Sequence, residues 1–222
     1  METPFLPIIF ILVVITVIVL FALFNDEARI KRKLKKAPYK PISSFKDGEI
    51  GKIIGKISST NKPMLAPLSK RKCVSYHIVI QQKKGSGKSS SWRTIINKRV
   101  VGDFLIQDNG SFAFVNDKKI KSVIVKDKKY SSGFLNDATP ELESFLNTHG
   151  IKSEGFFGFN KTLRYKEGIL EPNETIAVLG KVKWKSTDSL DLWVSQKEIL
   201  EISSYEKEPV YLSDHRVTTN RS

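Results

Sequence analysis

The run Gly85-Ser86-Gly87-Lys88-Ser89 has residue types that could cradle a phosphate. A nucleotide-binding loop of this kind also needs a glycine five residues before its second glycine, a strand before it and a helix after it. Gln82 occupies that glycine position, and the segment from Trp92 alternates like a strand. The spacing therefore predicts a lysine-containing hairpin loop over 83–91 rather than a nucleotide site.

The single cysteine and the three histidines offer little further chemistry. They are too few and too widely spaced for a zinc or iron–sulfur site, which needs about four close ligands. Cys73 follows basic residues that could lower its pKa, but we expect a half-buried structural thiol. His77 falls on the polar side of an alternating run, and no Ser, Asp or second His lies at a catalytic spacing from it, so we expect it on the surface. The sequence predicts no catalytic residue, no metal and no cofactor.

The chain is strongly basic, and aromatic residues lie among the basic ones. Lys and Arg number 37 against 23 Asp and Glu, which gives a net charge of +14. Trp92, Phe112 and Phe114 could stack nucleic-acid bases beside these cations, as in single-strand-binding barrels. More often, such aromatic residues fill a barrel core or support cross-strand packing. Nucleic acid is therefore an alternative partner rather than the leading one.

The N-terminal segment is the longest apolar run. Between Ile8 and Phe24 only Thr16 is polar, and no charged residue occurs between Glu2 and Asp26. A helix of about 20 residues spans the roughly 30 Å hydrocarbon core of a bilayer. Because no small-residue cleavage site follows, the pattern favours a retained transmembrane helix at 5–24 over a cleaved signal peptide.

A basic cluster follows the apolar run, and no Lys or Arg precedes it. The cluster comprises Arg29, Lys31, Arg32, Lys33, Lys35, Lys36 and Lys40. The positive-inside rule places the C-terminal side in the cytoplasm, and such a cluster attracts anionic lipid head groups. The sequence therefore predicts a single-pass protein of the plasma (inner) membrane with its N-terminus outside. Residues 25–44 would form a basic juxtamembrane linker.

The rest of the chain consists of short strand-like runs separated by turns. The predicted strands are Gly48–Ser58, Cys73–Gln82, Ser91–Val101, Phe104–Ile106, Phe112–Val115, Ser122–Val125, Thr175–Trp184, Asp191–Val194 and Glu198–Ser203. Asp108-Asn109-Gly110 predicts a hairpin turn. Thr139 and Pro140 predict the start of a helix that ends at Gly150. Residues 164–174 have the composition of a charged connection, held by an Arg164–Glu167 ion pair.

These elements predict a mainly β (α+β) fold. A transmembrane helix would precede a small antiparallel β-barrel or sandwich with one inserted helix. An OB-like barrel is one architecture that fits this description. The β domain would cover residues 45–204, and residues 205–222 would form a polar tail.

An ordered set of short segments covers roughly residues 45–185. It comprises 65–69 (LAPLS) with 73–76 (CVSY), Trp92, 104–108 (FLIQD), 145–151 (FLNTHGI), 163–172 (LRYKEGILEP) and 178–182 (VLGKV). Together the segments resemble the GIDE domain, also called the beside-a-membrane domain, of membrane-bound mitochondrial and chloroplast ubiquitin ligases and of shorter bacterial and archaeal proteins. The resemblance implies structural roles for Pro67, Leu68, Tyr76, Trp92, Phe104, Asp108, Arg164, Glu167 and Gly180.

The family resemblance does not extend to a ligase centre. Ligase members carry a second membrane segment and a zinc-binding RING after this domain, and this sequence shows neither. We therefore expect a membrane-anchored, non-catalytic protein-interaction or scaffold domain with an unidentified protein partner. One alternative is a ubiquitin-protein ligase-related subunit that acts with a separate RING protein. Another is a membrane-tethered, nucleic-acid-binding β-barrel.

Overall fold

The computed structural model describes residues 5–59, 64–85, 89–115, 117, 119–133, 136–154, 160–190, 194 and 196–221. In these residues the helices are α1 Phe5–Phe24, α2 Asp26–Lys36 and α3 Pro140–Asn147. The strands are β1 Ile50–Ser59, β2 Met64–Leu65, β3 Lys72–Cys73, β4 Ser75–Lys84, β5 Ser91–Val101, β6 Phe104–Asp108, β7 Ser111–Val115, β8 Ile120–Val123, β9 Lys128–Ser132, β10 Leu163–Leu170, β11 Thr175–Ser186, β12 Glu198–Ser203 and β13 Val210–Ser213.

Helix α1 forms in the N-terminal apolar run, and its side chains are described for residues 7–17. In the part of the chain that the structure describes, no helix is both long enough and apolar enough to cross a membrane. A membrane-spanning helix needs about 20 apolar residues. For the described residues, the predicted transmembrane helix at 5–24 is therefore wrong, and with it the single-pass placement in the plasma membrane.

Five strands close into a barrel in the order β1-β6-β7-β12-β11 and back to β1. Neighbouring strands are antiparallel except β7 and β12, which are parallel. Ile53, Phe104, Ile176 and Leu200 belong to the buried apolar cluster that fills this unit. A five-stranded Greek-key closure of this kind is the architecture of OB-folds. The predicted small β-barrel is confirmed.

Helix α2 packs on the outside of the barrel. Asn25 caps it by accepting a hydrogen bond from the backbone N–H of Glu27 at 2.9 Å. Ile30 and Leu34, four residues apart on one helical face, are buried against a cluster that includes Ile54 of β1 and Tyr211 of β13. The residues predicted as a juxtamembrane linker therefore include a helix that contributes to the core.

A second sheet has the strand order β5-β4-β10-β9 and is antiparallel throughout. Helix α3 covers one of its faces and buries Leu142 and Leu146 against Ile78, Ile80 and Leu163. The hydroxyl of the predicted cap Thr139 accepts a hydrogen bond from the N–H of Leu142 at 3.3 Å. The inserted helix is therefore confirmed, and it packs on this second sheet.

Strands β2, β9, β10 and β13 were not anticipated from the sequence. β9 and β10 contain many polar or charged residues, so the hydrophobic alternation that marks a strand is weak in them, whereas β2 and β13 are too short to show a periodic pattern. Residues 163–170 form strand β10 rather than a charged connection, because Leu163 and Tyr165 face α3. β13 lies within the predicted polar tail and pairs with β11. Of the predicted strand Asp191–Val194, residues 191–193 lie outside the described residues.

Candidate functional site: the basic face and its cleft

The face of the second sheet that points away from α3 carries polar and basic side chains. The strand registers place on it Trp92, Thr94, Asn97 and Arg99 from β5, His77, Val79, Gln81 and Lys83 from β4, Arg164, Lys166 and Gly168 from β10, and Lys129 and Ser131 from β9. We call this surface the basic face. Side chains alternate between the two faces of a strand, so the apolar side chains that α3 needs leave these residues pointing outwards.

Trp92 and Arg164 form the aromatic end of the basic face. Trp92 is 37% exposed, and the Arg164 guanidinium carbon lies 4.2 Å from the centre of a Trp92 ring. Arg164 Nε also donates a hydrogen bond to Gln81 Oε1 at 2.7 Å, and Gln81 Nε2 donates to Thr94 Oγ1 at 3.1 Å. This chain of contacts holds the guanidinium over the indole ring, where a cation–π contact is favourable.

The charge of the basic face has one sign. Its cationic side chains are Lys83, Arg99, Lys129, Arg164 and Lys166. In the described strands β4, β5, β9 and β10, no acidic side chain points to this face, because Glu167 lies on the opposite side. A surface with this charge attracts an anionic chain.

His77 lies at the other end of the basic face and is 4% exposed. Its Nδ1 accepts hydrogen bonds from Lys126 Nζ and, at 3.3 Å, from Arg99 Nη2. We therefore assign the proton to Nε2, which donates to Asn97 Oδ1 at 2.8 Å. The prediction of a surface histidine is wrong, because residues far away in the sequence cover its ring.

The titration of this cluster follows from its burial. Desolvation, followed by the charge of Lys126, lowers the pKa of His77 from 6.5 to about 4. Desolvation lowers the pKa of Lys126 to about 8, although the nearby Glu27 carboxylate acts against this shift. His77 is therefore neutral at pH 7 and serves as an acceptor for two cations.

A chain crossing places Lys126 beside His77. The segment 124–127 between β8 and β9 passes over Gly168, where a Cβ atom would lie only 2.2 Å from the Val125 carbonyl oxygen. The Val125 N–H donates to both carboxylate oxygens of Asp214, at 2.9 and 3.0 Å. On its other side, Asp127 accepts a hydrogen bond from the N–H of Ile169 at 3.3 Å. These anchors fix the segment between the barrel and the second sheet.

A cleft of about 440 Å³ opens where the basic face meets α2 and β8. Its walls include Asp26 and Glu27 from α2, Asn97 and Arg99 from β5, and Lys121 and Ser122 from β8, with His77 at its inner side. We call it the α2 cleft. It shares His77, Val79, Asn97 and Arg99 with the basic face, so the two form one continuous surface.

The remaining residues of the family motif make contacts within the protein rather than on the basic face. Glu167 is 2% exposed and accepts hydrogen bonds from the N–H groups of Leu68 and Ser69, at 3.0 and 2.9 Å. This contact holds the loop that contains Pro67 against β10. The predicted Arg164–Glu167 ion pair is wrong, because the two side chains lie on opposite faces of the sheet.

Asp108 is buried at the end of the barrel by two contacts. The Tyr39 hydroxyl donates to its Oδ2 at 2.7 Å, and Arg221 Nη2 donates to its Oδ1 at 2.8 Å. A separate cleft of about 260 Å³ lies beside this group. Because the carboxylate is already satisfied, we assign it to the attachment of the C-terminal segment.

Three other motif positions lie in packed regions. Phe104 is fully buried in the barrel, and Tyr76 packs between two apolar clusters. A Cβ at Gly180 would lie 2.7 Å from Ile202 Cγ2, so this glycine allows β12 to approach β11.

The basic residues predicted to flank a membrane have several partners within the protein. Arg29 pairs with Asp26 at 2.8 Å, and Lys33 pairs with Glu208 at 2.6 Å. Lys40 pairs with Glu49. The others, Lys31, Arg32, Lys35 and Lys36, also lie on α2.

Cys73 and the glycine-rich run are the two remaining candidates for chemistry. Cys73 is fully buried, and desolvation raises its pKa to about 11, so it is a structural thiol rather than a nucleophile. Gly85 has φ +81° at the end of β4, and residues 86–88 of the glycine-rich run lie outside the described residues. Across the described chain, no group of three or more His, Cys, Asp or Glu could hold a metal ion.

In the residues that the structure describes, the fold and site define a β-rich protein with a closed five-stranded barrel, three α-helices and a basic sheet face. No family model, no curated protein and no solved structure matches the chain. The resemblance to the GIDE domain therefore stays a prediction.

Proposed function

We propose that this protein binds single-stranded nucleic acid across the basic face. The observation that carries the proposal is the exposed Trp92 ring with Arg164 stacked on it, on a sheet face whose charged side chains are all cationic. Bases stack on aromatic side chains with about 1–3 kcal/mol per base, and lysines contact the phosphates between them. The basic face offers both kinds of contact.

The chemistry of the basic face favours a single strand over a duplex. In a duplex the bases are already stacked on one another, so they cannot lie on an indole ring. The distance along β5 from Trp92 to Arg99 is about 23 Å at 3.3 Å per residue. A bound strand could therefore lie on Trp92 at one end and reach the α2 cleft at the other.

Binding of a short oligonucleotide to the full chain tests this function. We expect a fluorescein-labelled deoxythymidine 12-mer to bind at low salt, with anisotropy as the readout. Trp92→Ala should weaken binding by about 5- to 150-fold, which corresponds to the loss of one stacked base. Trp92→Phe keeps a ring and should retain most of the affinity, and it therefore serves as the matched control.

Two results would overturn the proposal. One is the absence of 12-mer binding at low salt, where contacts to phosphates are strongest. The other is equal affinity of the wild-type protein and Trp92→Ala, with circular dichroism showing that both are folded.

The sequence-based expectations of a protein-interaction domain and of a ligase-related subunit stay predictions. The described residues carry no observation that favours either one over the binding of a nucleic-acid strand.

A further inference from the structure

The α2 cleft contains a buried hydroxyl that has no partner. Ser122 lies on β8 and is 0% exposed, and it lines the cleft. Among the described residues its Oγ makes no hydrogen bond. Buried polar groups are nearly always paired, because losing water without gaining a partner costs free energy. An unpaired hydroxyl in the wall of an open cleft indicates a partner that comes from outside the protein.

The charges around this hydroxyl favour an anion. Arg99 and Lys121 line the cleft, and Lys126 lies behind His77. Of the two acidic residues, Asp26 is already paired with Arg29 at 2.8 Å and lies 3.8 Å from Lys121. Glu27 is exposed on the first turn of α2. The two lining carboxylates balance Arg99 and Lys121, so the positive surplus around the cleft comes from Lys126 behind His77 and from Arg29 beside Asp26.

Helix α2 adds a further attraction for negative charge. Its N-terminal residues form one wall of the cleft, and the N-terminus of a helix carries a partial positive charge. Hydrogen-bond donors that surround an anion are typical of phosphate sites at helix N-termini. Here the donors would be the Ser122 hydroxyl, the Arg99 guanidinium and the Lys121 ammonium.

We infer that the α2 cleft binds the terminal phosphate of a nucleic-acid strand that lies on the basic face, with Ser122, Arg99 and Lys121 as its ligands. This inference rests on the proposed function, because it makes the cleft the end of the same binding surface. A terminal phosphomonoester carries more charge and more free oxygen atoms than the diesters within the strand. It is therefore the group that gains most from a cluster of donors.

The experiment compares 12-mers that carry a 5′-phosphate, a 3′-phosphate or no terminal phosphate. Each is titrated against the full-length wild-type protein, Ser122→Ala and Ser69→Ala. Ser69 is the matched control, since its Oγ is also buried without a described partner but lies in the loop held by Glu167. We expect a phosphate at one end of the strand to raise the wild-type affinity by about tenfold.

Ser122→Ala should abolish this gain, and Ser69→Ala should preserve it. If either hydroxyl had a structural role, its removal would lower the stability of the protein. Removal of an unpaired hydroxyl instead leaves the stability unchanged or slightly raised. Thermal unfolding of both variants should therefore show midpoints at or above that of the wild type, whatever happens to binding.

The outcomes separate this inference from the proposed function. If all three 12-mers bind equally well, the inference is overturned and the proposed function stands. If no 12-mer binds but thymidine monophosphate binds in a Ser122-dependent way, the proposed binding of a nucleic-acid strand is wrong and the cleft binds a free phosphomonoester instead. If the phosphate gain persists in Ser122→Ala, the phosphate lies elsewhere and the inference fails.

Discussion

His77 is a neutral imidazole whose Nδ1 accepts hydrogen bonds from two cations. Lys126 and Arg99 both donate to this nitrogen, and Asn97 accepts from the opposite one. Protonation would place a third positive charge between them, in a site where the ring is 4% exposed. The residue therefore orients Arg99 and Lys126 at the edge of the α2 cleft, and it can do so only while it is neutral.

At the residue scale we predict that His77 makes folding stability fall in mild acid. The folded pKa of about 4 lies below the ordinary 6.5, so between these values the unfolded chain binds the proton and the folded protein does not. The free energy of unfolding should therefore fall as pH drops from about 6.5 towards 4. His77→Gln should remove this contribution, so in urea unfolding it should lose less stability than the wild type between pH 7 and pH 5.

The comparison with His77→Gln is needed because two carboxyl groups act in the opposite direction. Desolvation raises the pKa of Glu174 to about 7 and that of Asp214 to about 6. Their unfavourable charge is present above those values and disappears as pH falls towards the unfolded values, so they add stability in acid. They are common to both proteins. Equal losses in the wild type and the variant would show that His77 is not held neutral.

The segment 124–127 is the element that joins the two sheets at the site. It runs from β8 at the edge of the barrel sheet to β9 at the edge of the second sheet, and it crosses β10 at Gly168. The absence of a side chain at Gly168 allows the Val125 carbonyl to lie against the sheet. The position of Lys126 therefore depends on a glycine on another strand.

At the element scale we predict that Gly168→Ala is strongly destabilising and disrupts the site. The added Cβ would lie 2.2 Å from Val125 O, which is backbone and cannot rotate away. The expected loss is about 2–4 kcal/mol in the free energy of unfolding, with the His77 titration shifted towards its ordinary value because Lys126 moves. Urea unfolding and the NMR titration of the histidine rings measure the two effects.

Gly133→Ala provides the control for this substitution. Gly133 follows β9, and a Cβ there would meet Thr162 at 3.6 Å, which is an ordinary van der Waals contact. It should change stability by less than about 1 kcal/mol. Similar losses for Gly133→Ala and Gly168→Ala would contradict the proposed role of the crossing.

At the scale of the whole molecule, positive charge dominates, but it is not uniformly available. The chain has a net charge of +14, yet Arg29 and Lys33 of α2 pair with acidic groups of the protein itself. The basic face instead keeps its cations on strands without acidic neighbours on the same side. The affinity for an anionic strand should therefore depend on the basic face more than on the net charge of the protein.

We predict that the salt dependence of oligonucleotide binding reports on the basic face. Each phosphate contact to a single strand contributes about −0.7 to the slope of log K against log salt concentration. Lys166→Ala, on the basic face, should reduce the steepness of that slope by about 0.7. Lys183→Ala, which removes an exposed lysine from barrel strand β11, should leave it unchanged. Equal slopes for the two variants would show that binding responds to net charge alone.

Local patterns allow much of the fold to be predicted. The turn at Asn109 and Gly110 has φ values of +48° and +82°, as Asn-Gly hairpins require. Strand β5 has the predicted bounds Ser91–Val101, and α3 begins at the predicted proline. Closure of the barrel could be proposed only in outline, because the parallel pairing of β7 with β12 joins segments distant in the sequence.

The sequence by itself determined the basic composition and most of the strands, since these depend on residue type and local periodicity, but it did not decide whether Trp92 is exposed or in the core. Only the tertiary structure decided that Arg164 stacks on Trp92, that His77 is buried beside Lys126, and that Ser122 has no partner. Each of these depends on contacts between residues far apart in the chain. Such contacts follow from strand register and from one crossing segment, and neither leaves a periodic signal in the sequence.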